Sequence, residues 1–524
     1  MSNTAGWRWG TTIRSLAAPA AGIVLLLALW VWGGRAGWAG GMVVTPAEAI
    51  RPLVGDSSDA YRRAAASTIS AAARGFVIGG SIAFLAALVA VSVPPLRGFV
   101  VRLAAVANAA PWVAVAPCLL IVLGRSQGPV AVAALAVFFP IFVSTSVGLA
   151  AAPAATHDVA TALGAGRFRR LWSVQLPASW PSTADGLKLA APAALAGAVF
   201  GEWYGAERGL GVLLITSMQG GRADRLWAAA LLCAVAGLVA YGVCSGLRAL
   251  AARRYGAAVG TSSSSSGAAS ANRSRARHAA NESAAVLMVV VVLVGLWWTW
   301  VEVKDIAAIV VPAPPAVLDD LTAAPGAYLS AALHTMLTAF IALMIGTAFG
   351  LAAALAASRF RFVAGMSVPF MVLLSATPLF ALFPLFARII GYNERTVWAL
   401  AAMLVFFPIF VFTRSGLEAA TEPMLDLVGA LGGQRSERFR YVVMPAAAPH
   451  IASGFRIAAG SAIIAAVVGE SLIGRNGLGV EFAYSYRLLD LPRAFGAAIV
   501  VVVLSVAIFS LAGRGERAVH DRWA

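Results

Sequence analysis

Phe138-Phe139-Pro140-Ile141-Phe142 recurs as Phe406-Phe407-Pro408-Ile409-Phe410, 268 residues further along the chain. At that offset residues 138–211 align to 406–479 without a gap, and close to half of the positions are identical. Shared apolar composition does not give that much identity, so the repeat marks a tandem duplication. Upstream the offset becomes 267, pairing Pro111 with Pro378 and Pro117 with Pro384.

The duplicated stretch is embedded in apolar sequence. Of the 524 residues, 60% are hydrophobic and 12% are charged. A soluble domain carries about 25% charged residues, so this chain cannot coat a water-facing surface of its size. The apolar residues fall in blocks such as 76–93 and 285–301, near the ~18 residues that cross a bilayer as a helix. A soluble enzyme and an intrinsically disordered chain are both excluded. Each half offers six such segments, near 17–33, 69–93, 97–123, 127–152, 183–200 and 226–249, then 284–301, 331–357, 362–390, 396–417, 451–469 and 494–513. The fold class expected is an all-α polytopic membrane protein of two six-helix domains, about 12 transmembrane helices. An even number per half gives the halves one orientation, related by a pseudo-twofold axis along the membrane normal. The domains expected are 1–252 and 284–524, joined by a Ser/Ala/Arg-rich tether at 253–283 whose composition offers no apolar period to bury.

The net charge is +16. Its scattered arginines carry no nucleic-acid motif, so the charge is read as membrane orientation. The larger share of Lys and Arg collects on one side if the termini, the tether and the 153–182 and 418–450 loops are cytoplasmic. Arg51, Arg62 and Arg63 run against that placement. Cys118, Cys233 and Cys244 are an odd set in apolar sequence, better read as small hydrophobes than as disulfides or metal ligands. The N-terminal apolar run lacks a convincing cleavage site and is read as a retained helix.

The loops between the fourth and fifth segments share an internal pattern. The first has Asp158-Val159-Ala160, Leu163-Gly164, Arg167, Arg170 and Leu176-Pro177. The second has Asp426-Leu427-Val428, Leu431-Gly432, Arg435, Arg438 and Met444-Pro445. An acidic first turn favours a short helix, glycine permits a sharp turn at its end, and a second short segment is expected to run to a break at the proline. The result is a small helix-turn-helix projecting from the membrane face.

Here the sequence resembles the inner-membrane permeases of binding-protein-dependent ABC importers. Their signature is Glu-Ala-Ala, three residues, Gly, nine residues, Ile, any residue, Leu-Pro. Both copies keep the Gly-to-Pro spacing, with Asp-Val-Ala and Asp-Leu-Val in place of Glu-Ala-Ala. Further features narrow the resemblance to the nitrate/sulfonate/taurine-type group: Ala162-Leu163-Gly164-Ala165, Leu176-Pro177-Ala178, Glu202 with Gly209-Leu210-Gly211, and Glu470 with Gly477-Leu478-Gly479. Most such permeases are single chains that dimerise; this one looks like a fused pair.

The resemblance implies a transport subunit, not an enzyme, that offers an alternating-access pathway to a solute from an extracytoplasmic binding protein or lipoprotein. It also implies two cytoplasmic ATP-binding cassette subunits, each contacted by one loop through Asp158, Leu163, Gly164, Arg167, Arg170 and Pro177, or Asp426, Leu431, Gly432, Arg435, Arg438 and Pro445. A P-loop needs Gly-x-x-x-x-Gly-Lys-Ser/Thr. Neither Lys188 nor Lys304 follows a glycine, so no cofactor is expected in this chain. ATP and Mg are expected on the partner, and the location expected is the inner membrane, multi-pass.

Other residues carry weaker expectations. Lys188 and Arg456 hold equivalent positions in the fifth segments and would suit an anionic solute if they faced the pathway; the plainer reading is snorkelling. Asn108, Ser375 and Thr377 precede the Pro-broken third segments and are candidates for solute contact, or for helix–helix bonding. Glu202 and Glu470 are expected on the external face, where they could dock a binding protein. No metal-ligand spacing occurs. The alternative, an ion-coupled secondary transporter of parallel 6+6 repeats, expects buried acids. No Asp or Glu occurs between Asp59 and Asp158 or between Asp320 and Glu394, which counts against it.

Overall fold

A computed structural model describes residues 5–55, 58–109, 122–152, 154–255, 291–308, 310–360, 362–367 and 382–523, with a few isolated positions. The described residues are helices joined by short turns, with no strand among them. The first half runs α1 (Ala5–Arg35), α2 (Pro46–Val54), α3 (Ser58–Ser92), α4 (Pro94–Ala109), α5 (Gly128–Ala150), α6 (Ala154–Ala162), α7 (Leu176–Trp203), α8 (Leu210–Gln219) and α9 (Ala223–Tyr255). The second runs α10 (Val291–Val303), α11 (Pro314–Ala323), α12 (Pro325–Arg359), α13 (Phe383–Ile390), α14 (Glu394–Leu417), α15 (Glu422–Ala430), α16 (Met444–Ile473), α17 (Leu478–Arg487) and α18 (Leu491–Trp523).

The duplication extends to the ends of individual helices. At the 267-residue offset α3 falls on α12, both 35 residues long. At 268 residues α8 falls on α17, both of 10 residues, and α9 on α18, both of 33. Among the described residues seven helices are long and apolar enough to cross a membrane: α3, α5, α9, α12, α14, α16 and α18. Shorter apolar stretches, Ala20–Arg35 and Val291–Val303, match the first segment expected in each half. α7 is 28 residues long, about 42 Å at 1.5 Å per residue, but it interrupts its apolar sequence with Asp185, Lys188 and Glu202. Of the expected proline breaks in the third segments, Pro111, Pro117 and Pro378 lie outside the described residues, as does the tether beyond Tyr255, while Pro384 sits in the first turn of α13.

Small residues bring the helices together. A Cβ on Gly79 of α3 would stand 2.2 Å from the Ala134 carbonyl of α5. A Cβ on its counterpart Gly346 of α12 would stand 2.5 Å from the Ala402 carbonyl of α14. Backbones that approach this closely gain dispersion contacts that hydrocarbon cannot replace, the usual driving force between helices in lipid. Large apolar side chains instead line the periphery: Leu329, Leu333, Leu337 and Phe340 of α12 are all exposed. Their spacing of three and four residues puts them on one helix face, suited to lipid contact. The halves meet where α8 packs against α13 and where the Tyr204 and Tyr486 rings approach edge-on at 6.4 Å.

Candidate functional site

Each loop between the fourth and fifth long segments begins with a nine-residue helix, α6 or α15, closed by the same device. Gly164 has φ +75 and Gly432 has φ +79. The Gly164 N–H donates to the Thr161 carbonyl and the Ala165 N–H to the Ala160 carbonyl, both at 2.9 Å. In the second loop the Gly432 N–H donates to Gly429 at 3.0 Å and the Gly433 N–H to Val428 at 2.9 Å. These are the paired bonds of a Schellman motif, which needs a left-handed residue at the position glycine holds. A Cβ at either glycine would meet nothing within 4 Å, so the requirement is conformational and not steric.

Past the turn, Arg167–Arg170 and Arg435–Arg438 form one short helical turn each. In the first loop Arg170 donates from Nη1 to Thr161 Oγ1 at 3.1 Å. In the second, Gly429 stands where Thr161 does, and Arg438 lies over it: a Cβ there would be 2.1 Å from Arg438 Nη2. Arg170 thus ties the second arm of its loop to the first by a hydrogen bond, and Arg438 packs over the first arm of its own. No break follows at the Leu-Pro or Met-Pro step, contrary to expectation. A five-residue π turn, Leu171–Gln175 or Phe439–Val443, leads directly into α7 or α16, and Pro177 and Pro445 sit in the first turn of those helices. The wider turn accommodates the missing proline N–H without ending the helix.

The loop tips are bare. Leu163 and Leu431 are each 79% exposed, and Val159, Leu427, Phe168 and Trp172 are exposed beside them. Asp158, Asp426 and Arg167 are exposed as well. An exposed apolar cluster at a polar tip marks an interaction surface.

The other expected site residues divide into three groups. Ser375 and Thr377 lie outside the described residues; Asn108 lies at the end of α4. Lys188 and Arg456 face the sixth long helix of their own half: Lys188 Nζ stands 5.0 Å from the Tyr241 ring centroid, and Arg456 stacks over Phe509 at 4.3 Å while donating to Glu516 Oε2 at 2.8 Å. They do not converge on a path between the halves. Each ammonium or guanidinium is instead held by a nearby ring, and in Arg456 also by an acid.

Glu202 and Glu470 correct a further expectation, because both are 2% exposed and their carboxylates point inward. Glu202 accepts from Thr68 Oγ1 at 2.7 Å and from the Gly211 N–H at 2.8 Å, while the Leu210 N–H donates to Thr68 Oγ1 at 2.8 Å. Glu470 repeats the arrangement with Thr335 at 2.8 Å and Gly479 at 3.1 Å, and Leu478 N–H donates to Thr335 at 2.9 Å. A buried carboxylate needs such donors. Here it anchors the start of α8 or α17 against α3 or α12, so neither acid is free to dock a partner. Gly209 and Gly477 make room, since a Cβ on either would collide with the glutamate.

At the end of α7 far from the loops, a cleft of about 440 Å³ opens between the halves. It is lined by Trp203, Tyr204 and residues of α8 from the first half, and by Ser471, Leu472 and residues of α17 from the second.

Two anchored apolar bundles, each presenting an exposed loop at one face, describe a membrane transport subunit driven from outside its own fold. The family model for the inner membrane component of binding-protein-dependent transport systems matches residues 79–256 and 346–521, and the chain belongs to that family. It is similar to a probable ABC transporter permease protein of Haemophilus influenzae, 30% identical over 175 residues, 33% of this chain and 71% of that protein. It is also similar to the taurine transport system permease protein of Escherichia coli, 26% identical over 217 residues, 40% of this chain and 78% of that one. A riboflavin transport system permease protein of Chloroflexus aurantiacus is 30% identical over 149 residues, 28% and 56% of the two chains. The aligned stretch is about twice as large a share of each relative as of this chain, so each relative is about half as long. The chain is a permease component and not an enzyme; in such systems the ATPase is a separate subunit.

Proposed function

We propose that this single chain supplies both halves of the membrane pathway of an ABC importer, with residues 1–252 and 284–524 as the two permease domains. The observation that carries the reading is the double family match in a chain twice the length of its relatives. Each half contributes one loop, and each loop seats on one ATPase subunit, two in all. ATP and Mg belong to those subunits. Closure of the ATPase pair moves the loops, and the rigid run from each short turn through its π turn into α7 or α16 passes the motion to the bundle. The loops, both termini and the 253–283 tether share the cytoplasmic side of the inner membrane. The solute arrives at the opposite face from an extracytoplasmic binding protein. Relatives named for taurine and riboflavin transport make a small organic solute the substrate class.

Single cysteines at Leu163 and Leu431, the most exposed large apolar residues of the two loops, test the ATPase contact by crosslinking in membranes that co-express the ATPase. Both should crosslink, and Val54→Cys, exposed to 79% on the opposite side, should not. Failure at both loop positions would overturn the assignment; crosslinking at only one would overturn the two-ATPase reading.

A further inference from the structure

The cleft between the halves lies on the pseudo-twofold axis. At the 268-residue offset Trp203 pairs with Ser471, Met218 with Tyr486 and Gln219 with Arg487, and both members of each pair line it. A chamber built by equivalent positions of two related halves must straddle the axis that relates them. Its volume falls in the 300–1,000 Å³ range of small-molecule sites.

Equivalent positions do not carry the same chemistry. Among the described residues that line the cleft, Arg487 is the one cation and none is Asp or Glu, and the facing position holds neutral Gln219. Arg487 is exposed and makes no ion pair among the described residues. The walls are aromatic, from Trp203, Tyr204 and Tyr486. Trp203 Nε1 is closed off from solvent without a hydrogen-bond partner among the described residues. Two identical half-length subunits would place two arginines across the axis or none. The fused chain places one.

We propose that this cleft binds a single small organic anion, a carboxylate or sulfonate with a flat apolar body, in one orientation. The oxyanion lies on Arg487, where a guanidinium offers a planar fork of donors, and the body lies against the Tyr204 and Tyr486 rings. Gln219 donates or accepts at the far end. This rests on reading the chain as the solute pathway and adds to it the place and charge of a binding site.

The test uses the purified full-length chain in lipid nanodiscs and titration calorimetry with benzenesulfonate, its neutral isostere benzenesulfonamide and the cation benzyltrimethylammonium. Benzenesulfonate alone should bind saturably. Arg487→Gln should weaken it at least tenfold, Arg487→Lys, which keeps the charge and loses the fork, should fall between the two, and the exchange Gln219→Arg with Arg487→Gln should restore it. Thermal unfolding should be the same in all variants, because both side chains are exposed. Equal binding of benzenesulfonamide, no saturable binding of benzenesulfonate, an unaffected Arg487→Gln or a failed exchange would each overturn the proposal. Uptake driven by the partner ATPase is read separately. Intact benzenesulfonate binding without uptake counts against the pathway reading, and uptake without benzenesulfonate binding counts against the cleft alone.

Discussion

In the first half Arg248 of the sixth long helix donates to Asp185 of the fifth at 3.1 Å; in the second, Arg456 of the fifth donates to Glu516 of the sixth at 2.8 Å. Arg248 and Glu516 are equivalent positions, so the halves hold the same helix pair together with opposite polarity. The Glu202 and Glu470 anchors differ from this in kind. Thr68 and Thr335, the two glutamates and the backbone N–H groups that donate to them are the same in both halves. Burial explains the contrast. A carboxylate 2% exposed has no water to replace a lost donor, so few arrangements work. The Asp185–Arg248 side chains are 41% and 46% exposed, and a pair that water can solvate is free to change sign. The loop turns are alike for a different reason: both glycines are exposed, and their positive φ is what fixes them, while the surfaces beside them differ, with Phe168 and Trp172 facing outward in one loop and Ser436 and Arg440 in the other.

The largest effect should come from the shared turns. Valine at both Gly164 and Gly432 forces a β-branched residue to positive φ at a cost of about 1–2 kcal/mol each, and it unseats the loop. ATP-driven uptake in proteoliposomes should fall more than tenfold while the bundle stays folded. Wild-type uptake in the double variant would remove the loops from the mechanism, and unequal losses in the two single variants would show that the divergent surfaces matter.

Smaller effects should follow in the anchors. Glu202→Ala leaves the buried Gly211 N–H without its acceptor, while the Thr68 hydroxyl keeps the Ala64 carbonyl at 3.1 Å; the loss costs about 1–3 kcal/mol. Glu470→Ala should cost more than Glu202→Ala, because His334 Nδ1 also stands 3.6 Å from Glu470 Oε1. Thermal unfolding in detergent reads both; equal values would mean that His334 adds nothing. Glu516→Arg should destabilise by about 1–3 kcal/mol, since the pair lost is partly buried, and adding Arg456→Glu should restore most of it. Absence of rescue would reduce the inverted polarity to coincidence. Arg248→Ala, at an exposed pair, should change stability by less than about 1 kcal/mol.

The repeat and the loops were legible in the sequence because both rest on spacing, which the fold preserves. The Gly164 and Gly432 turns follow from residue type alone. The anchors were not legible: Glu202 before Gly209-Leu210-Gly211 reads as an acid beside a surface turn, and only Thr68 and Thr335, 134 and 135 residues from their partners, show that it points inward. The signal was available in principle, since a threonine and a glutamate recur at matching places in otherwise apolar helices. Lys188 and Arg456 left two readings open for a related reason. Their equivalence was visible, but the partners that turn them away from the path, Tyr241, Phe509 and Glu516, lie on a different helix. The proline steps at Leu176-Pro177 and Met444-Pro445 read as helix ends because a π turn leaves no mark in composition.

The central claim is that one chain does the work of two half-length subunits. Native mass measurement of the complex purified with its ATPase tests it most directly. The account predicts one copy of this chain with two ATPase subunits; two copies of this chain in each complex would contradict it.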